Sequence, residues 1–204
     1  LSRKTVRQTL VEFDHPRVAT LAIPFHEAIE GDQLKHLAPD DEGLFIISRY
    51  IGCSMAVRRE AYLAVGGYNR DLFNMSEEAD LCLKLLNLGY VTRLGRADPM
   101  RHHKSSLRDS RAIEIRIRRN ALIRCWSHVP LRYLTQSMLG QVVMFLTKWR
   151  GSAGWVATLA GLGQGAFAIV CHPMRRKPVS VLAYKAWLKL RRAEPVLLRE
   201  FEPA

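Results

Sequence analysis

The feature that most constrains the fold is a leucine-rich helical pattern that begins with a cluster of acidic residues. Three carboxylates stand within four positions in the run Glu77-Glu78-Ala79-Asp80. Apolar residues follow at Leu81, Leu83, Leu85, Leu86 and Leu88, and Gly89 comes directly after them. This spacing predicts a helix with one apolar face, with Ser76 as its N-cap and Gly89 at its C-terminal end.

The acidic first turn has two interpretations. Carboxylates at a helix start complement the positive end of the helix dipole, so the cluster is consistent with a surface helix and nothing more. Three neighbouring carboxylates also repel one another, which raises the pKa of at least one of them. A carboxylate with a raised pKa is suited to act as a general base near neutral pH, so the second interpretation is a catalytic site.

The residues before the acidic cluster favour a mixed α/β fold. An apolar strand-like run at 44–51 leads into a short helical segment at 58–65, which ends at the pair Gly66-Gly67. The order is strand, turn, helix, glycine turn and acidic helix.

Four short motifs then occur in a fixed order. They are Gly52-Cys53-Ser54-Met55-Ala56-Val57-Arg58-Arg59, then Gly66-Gly67-Tyr68, then Leu72-Phe73, and last Glu77-Glu78-Ala79-Asp80-Leu81. This series resembles the C-terminal half of the catalytic domain of inverting family 2 glycosyltransferases, which have the GT-A fold.

The resemblance implies roles for the acidic residues. Glu78 takes the position of the catalytic base, which removes a proton from the acceptor hydroxyl, although many relatives have Asp there. Asp80 is expected to orient the helix or to accept a hydrogen bond from the acceptor, and Glu77 to act as a capping charge. The loops that contain Gly52, Cys53 and Arg58 are expected to bind the acceptor.

The segment after the next strand also resembles the family. His102, with His103 as second choice, is expected to complete a site for a divalent metal, Mg or Mn, because neutral imidazole can bind such ions. Arg108 and Arg111 are expected to neutralise the departing diphosphate. The alternative is that these histidines and arginines lie on a solvated surface. The polymer-threading segment Gln-x-x-Arg-Trp is not found, which favours a single transfer for each encounter.

The first half of a GT-A domain, which carries an Asp-x-Asp motif and binds the nucleotide, has no counterpart in the sequence. Residues 4–13 resemble the helix that follows the Asp-x-Asp strand of the family, and residues 17–23 resemble the next strand. We therefore expect a piece of a longer protein or a truncated gene product. The predicted fold class is α/β, an incomplete GT-A half-domain over residues 1–110 followed by a basic, mostly α-helical extension over residues 111–204.

Charge separates these two parts. Residues 1–100 contain 12 Lys or Arg and 14 Asp or Glu, whereas residues 101–204 contain 19 and five. Two apolar helical stretches, 131–149 and 153–171, lie in the basic part, and the second contains Gly154, Gly161, Gly163 and Gly165, which suit close helix packing. We expect a helical hairpin at the cytoplasmic face of a membrane, with basic residues on anionic headgroups. A soluble helical subdomain is the alternative.

The predicted function is transfer of a sugar from a nucleotide-diphospho-sugar to a saccharide or lipid-linked acceptor, in cell-envelope polysaccharide or glycolipid synthesis. The alternative is a non-catalytic remnant with a membrane or interaction role. A nucleic-acid-binding module is disfavoured, because the arginines of residues 111–126 alternate with isoleucine and lack an aromatic stacking platform. The four cysteines, at positions 53, 82, 125 and 171, form no CxxC pair and are expected to be buried free thiols.

Overall fold

The computed structural model describes residues 2–27, 32–103, 109–147, 154–171 and 176–201. Over these residues the chain forms seven α-helices, namely α1 (Arg3–Val11), α2 (Arg59–Ala64), α3 (Glu77–Asn87), α4 (Ser110–His128), α5 (Leu131–Thr147), α6 (Gly154–Cys171) and α7 (Val181–Ala193). The strands are β1 (Val18–Ala22), β2 (Phe25–Glu27), β3 (Gln33–Lys35), β4 (Phe45–Ile47), β5 (Met55–Val57), β6 (Val91–Leu94), β7 (Met100–His102) and β8 (Val196–Leu197).

The strands form two small mixed sheets. The larger has the order β5-β1-β6-β4-β8, in which β1 and β6 are parallel and the other pairs are antiparallel. The smaller has the order β3-β2-β7, with β2 and β7 parallel. The α/β class predicted from the sequence is therefore confirmed.

The chain divides into two compact units, and neither is continuous in sequence. The first unit comprises residues 1–67, 81–106 and 182–204, and the second comprises residues 68–80 and 107–181. The first unit contains both sheets. One apolar cluster of this unit joins strand residues such as Ala19, Ile47 and Leu94 to Leu81 and Leu85 of α3. The leucine pattern after the acidic cluster is thus explained by packing on the sheet.

Residues of the basic extension also take part in the first unit. β8 pairs with β4, and Glu194 accepts a hydrogen bond from the Ser48 amide at 2.6 Å. The boundary that the sequence suggests after residue 110 lies near one of the junctions between the units, but the chain returns to the first unit at residue 182. A continuous second domain over residues 111–204 therefore stays a prediction, because the two compact units divide these residues between them.

The second unit contains a close crossing of α4 and α6. A Cβ atom at Gly161 would lie 2.6 Å from the Ile115 carbonyl oxygen, and one at Gly165 would lie 3.0 Å from Leu122 Cδ1. Small residues at a four-residue spacing let two helix backbones approach this closely. The prediction that the glycines of this helix serve close packing is confirmed at these two positions.

Candidate active site

The acidic cluster lies at the end of a loop with unusual backbone geometry. Asn74, Met75 and Ser76 have φ angles of 53°, 95° and 71°, all in the left-handed region. Such a conformation costs roughly 1–3 kcal/mol at each non-glycine residue, so three in succession require support from elsewhere in the structure. We call residues 74–80 the acidic turn.

Helix α4 supplies that support. Asn120, which has no exposed surface, donates through Nδ2 to the Met75 carbonyl oxygen at 2.7 Å. Arg119 donates to the Asp71 carbonyl oxygen at 2.8 Å, just before the turn. These bonds satisfy carbonyl groups that the irregular backbone would otherwise leave unpaired. Arg119 and Asn120 therefore stabilise the loop that leads into α3.

Ser76 takes the position that the sequence predicts for the helix start. Its carbonyl oxygen accepts the first helical bond, from the Asp80 amide at 3.1 Å. At the other end, Gly89 has φ 86° and its amide donates to the Leu86 carbonyl oxygen at 2.9 Å. Both predicted ends of the helix are confirmed.

Glu77 is the acidic residue whose titration the environment alters. Partial burial raises the pKa of the Glu77 carboxyl, and the charge of Glu78 adds to the rise, while hydrogen bonds from the backbone of Glu77 and Met75 oppose it. Its Oε2 atom is buried and has no hydrogen-bond partner among the described residues. The rise in pKa that the sequence predicts for one of the carboxyls thus occurs at Glu77. Burial contributes more to this rise than repulsion between the carboxylates does. Glu78 is half-buried beside it.

Asp80 is the most deeply buried of the three acids. It has no exposed surface, and its Oδ1 atom lies 2.6 Å from Nε2 of His128, at the end of α4. The other ring nitrogen of His128, Nδ1, lies 2.9 Å from the Lys177 carbonyl oxygen. Asp80 is therefore held by a buried partner within the protein.

The residues predicted to bind the acceptor belong to the first unit. Gly52 and Cys53 are exposed in a turn that the Ser54 amide closes by donating to the Ile51 carbonyl oxygen at 3.0 Å. The Arg58 guanidinium donates to the carbonyl oxygens of Val18 and Phe13, at 2.7 and 2.6 Å. Gly52 and Cys53 are thus accessible, whereas the side chain of Arg58 stabilises the fold.

The predicted metal ligand His102 lies on β7 next to a buried carboxylate. Its Nδ1 atom is 3.7 Å from Oε1 of Glu27, whose Oε2 atom accepts a hydrogen bond from the Lys35 ammonium. A divalent cation between these groups would face the positive charge of Lys35. Among the described residues, no three His, Cys, Asp or Glu side chains come together. These residues fit a divalent metal poorly, and His103 is exposed.

The predicted diphosphate ligands are described only in part. Arg111 is exposed in the first turn of α4, whose N-cap Asp109 accepts a hydrogen bond from the Ala112 amide at 3.0 Å. Arg108 lies outside the described residues. Arg111 is accessible to an anion.

A cavity of about 470 Å³ lies elsewhere in the first unit. Its walls include His15, Arg17 and Arg199 together with Leu44 and Phe201. No residue that the sequence singled out for chemistry contributes to these walls within the described part of the chain.

Two prominent site residues had no functional signal in the sequence. Asn120 stands in the run Arg118-Arg119-Asn120, which by itself indicates no catalytic role, and His128 belongs to none of the motifs described above. Their partners lie 45 and 48 positions earlier in the chain, so local pattern could not reveal them. Two of the four cysteines also differ from expectation, because Cys53 and Cys171 are exposed, whereas Cys82 and Cys125 are buried free thiols.

Comparisons with protein-family models, with curated proteins and with solved structures found no match for this chain.

Proposed function

We propose that this chain carries the catalytic carboxylate of an inverting glycosyltransferase, with Glu78 as the base. The donor is a nucleotide-diphospho-sugar, and the acceptor is a saccharide or a lipid-linked hydroxyl. The GT-A fold and family 2 membership are part of this proposal, which depends on the order of the four sequence motifs.

One observation carries the chemistry. The acidic turn places Glu77 and Glu78, both half-buried, after three left-handed residues that Asn120 supports. Strained backbone that the surrounding structure holds in place is typical of functional sites. Partial burial also raises the pKa of Glu77, so this turn can hold a carboxylate with increased proton affinity.

The proposed step is a single displacement. Glu78 takes the proton of the acceptor hydroxyl while its oxygen attacks the anomeric carbon, and the bond from that carbon to the diphosphate oxygen breaks. The electron pair leaves with the nucleoside diphosphate, and the configuration of the sugar inverts. Because the residues around His102 fit a metal poorly, no step here depends on one. Arg111 is the described cation proposed to attract the diphosphate.

The test measures nucleoside diphosphate release by the native protein. Membranes of the cells that make the protein serve as acceptor, and uridine diphosphate sugars are tried first. Glu78→Gln keeps the shape of the side chain and removes the base, so transfer should fall by about 100-fold or more. Glu77→Gln is the matched control, and we expect a smaller loss. A larger loss at Glu77 would move the base to that residue.

The absence of donor-dependent release under all these conditions would contradict the enzyme proposal. The mass and N-terminal peptide of the native protein belong to the same experiment, because a longer chain with an Asp-x-Asp segment would supply the donor site. A protein without that segment and without transfer would favour a non-catalytic membrane or interaction role.

We also propose that the second unit binds the cytoplasmic face of a membrane. α6 is the one helix in the described part of the chain that is long and apolar enough to cross a bilayer, with 18 residues and a mean hydropathy of 1.5. Opposite its glycine face it exposes Val156, Leu159, Phe167 and Val170. The basic excess of residues 101–204 suits anionic headgroups. We favour a shallowly inserted helix, because its glycine face packs on α4.

Liposome sedimentation tests this location with a matched pair of variants. Leu159 on α6 and Leu10 on α1 have similar exposure, 62% and 64%. Leu159→Glu should reduce binding to vesicles of phosphatidylglycerol and phosphatidylcholine by about tenfold, since it places a charge in the inserted face. Leu10→Glu should leave binding unchanged. Equal effects of the two variants, or equal binding to pure phosphatidylcholine, would contradict the proposal.

A further inference from the structure

We infer that His128 is a positioning residue for the acidic turn, acting through its buried contact with Asp80. The catalytic part of this inference depends on the proposed function, and its structural part does not. His128 and Asp80 lie in the second unit, as does the whole acidic turn.

The contact is short and excluded from water. Nε2 of His128 lies 2.6 Å from Oδ1 of Asp80, and the two side chains are 6% and 0% exposed. Burying a charged group without a partner is costly, so each of these groups reduces the cost of burying the other. The pair therefore joins the first turn of α3 to the end of α4.

The second contact of His128 fixes the orientation of its ring. The Lys177 carbonyl oxygen can only accept a hydrogen bond, so Nδ1 of His128, at 2.9 Å, is the donor. With Nδ1 held in this way, Nε2 faces Oδ1 of Asp80 at 2.6 Å.

This contact decides between the two roles expected for Asp80. A carboxyl with no exposed surface, placed against a buried imidazole, is not within reach of a substrate. It instead anchors the helix turn that carries Glu77 and Glu78, which precede it by three and two positions. Attack geometry in enzymes is sensitive to displacements of about 1 Å, so loss of this anchor should impair chemistry more than binding.

Two substitutions separate the two contacts of His128. His128→Gln keeps a nitrogen donor near the Nε2 position, toward Asp80. His128→Asn keeps a donor near the Nδ1 position, toward Lys177, and loses the contact with Asp80. If His128 acts on the acidic turn through Asp80, Gln should preserve the turn and Asn should not.

The first readout needs no substrate. In ¹H–¹⁵N spectra of the full chain, the amide resonances of Glu77 and Glu78 should shift in His128→Asn and in Asp80→Asn, but stay close to the wild-type positions in His128→Gln. Unshifted resonances in His128→Asn, in a variant that remains folded, would overturn the inference. Equal shifts in the Asn and Gln variants would also overturn it.

The second readout applies once transfer is measured. We expect His128→Asn to lower kcat by about 10- to 100-fold with little change in KM, and His128→Gln to stay within about threefold of wild type. The reverse order would show that the Lys177 contact matters and would overturn the positioning role. If the resonances shift as expected but no donor is ever transferred, the pair is upheld and the proposed function fails, so the two failures are distinguishable.

Discussion

The two compact units of this protein differ in the charged groups that they bury completely. In the first unit, strands and α3 pack into an extended apolar cluster that includes Tyr50, Leu81 and Leu85. In the second unit, Leu72, Ile123 and Ala168 form one apolar cluster. Among the described residues, the charged side chains with no exposed surface are Asp80 and Arg118, and both belong to the second unit, whereas Glu27 and Arg93 of the first unit are each 4% exposed.

Arg118 shows how the second unit satisfies such a group. Its guanidinium donates to Thr158 Oγ1 at 3.0 Å and to the Glu114 carbonyl oxygen at 2.8 Å, and it lies over the Phe145 ring at 5.5 Å. Polar contacts of this kind add little net stability, but they restrict the helices to one arrangement. We therefore expect apolar packing to dominate the stability of the first unit, and polar contacts such as those of Arg118 to influence how the helices of the second unit are arranged.

The largest expected effect is a cavity in the apolar interior of the first unit. Leu85 is 1% exposed within the large cluster, so Leu85→Ala should lower the free energy of unfolding by about 2–5 kcal/mol. Leu63→Ala on α2 is the matched control, because Leu63 is 56% exposed, and its cost should stay within about 0.5 kcal/mol. Urea denaturation measures both. Similar losses in the two variants would contradict an apolar interior that carries the stability of this unit.

A smaller effect is expected where α6 crosses α4 in the second unit. A Cβ atom at Gly161 would meet backbone at 2.6 Å, whereas nothing lies within 4 Å of one at Gly163. Gly161→Ala should therefore destabilise the protein by about 1–3 kcal/mol through overpacking. Gly163→Ala should stabilise it by up to about 1 kcal/mol through helix propensity.

Circular dichroism during thermal unfolding distinguishes the two glycine variants by the direction of the Tm shift. Opposite directions would support a closely packed crossing that determines geometry in the second unit. A rise in Tm for both variants would show that the helices can separate without cost, and the contrast between the two interiors would be lost.

Local patterns in the sequence predicted much of the secondary structure. The leucines of α3 have a helical period, and Gly89 is a stop signal at its end, so both signals lie within one element. Contacts between distant segments gave no such signal. The antiparallel pairing of β1 with β5, for example, joins Leu21 to Ala56 and depends on tertiary packing.

The candidate site shows the same limit. The acidic cluster was visible because its three carboxylates are adjacent, and the glycines of α6 because they recur along one helix. The left-handed residues of the acidic turn have no glycine among them, and only Asn74 is of a type that readily adopts this conformation, so the sequence does not indicate three such residues in succession. Their support comes from Asn120, which lies 45 positions after Met75, so no local sequence pattern connects the two.

The smallest expected effect concerns the acidic turn itself and the pH dependence of stability. The pKa of Glu77 is raised in the folded protein, chiefly by burial, so the folded state binds a proton more tightly than the unfolded chain. Stability from this group is present below the unfolded pKa and is lost as the pH rises through the folded pKa. Glu77→Gln, which mimics the protonated acid, should therefore match wild type at low pH and become relatively more stable as the pH rises.

Glu60→Gln is the control, because Glu60 is an exposed acid in the first turn of α2 and its removal should slightly destabilise the protein near neutral pH through the helix dipole. Urea denaturation at a series of pH values measures both variants. If Glu77→Gln is also less stable than wild type near neutral pH, Glu77 acts as an ordinary capping charge. The second unit would then not hold Glu77 in an environment that disfavours its charged form.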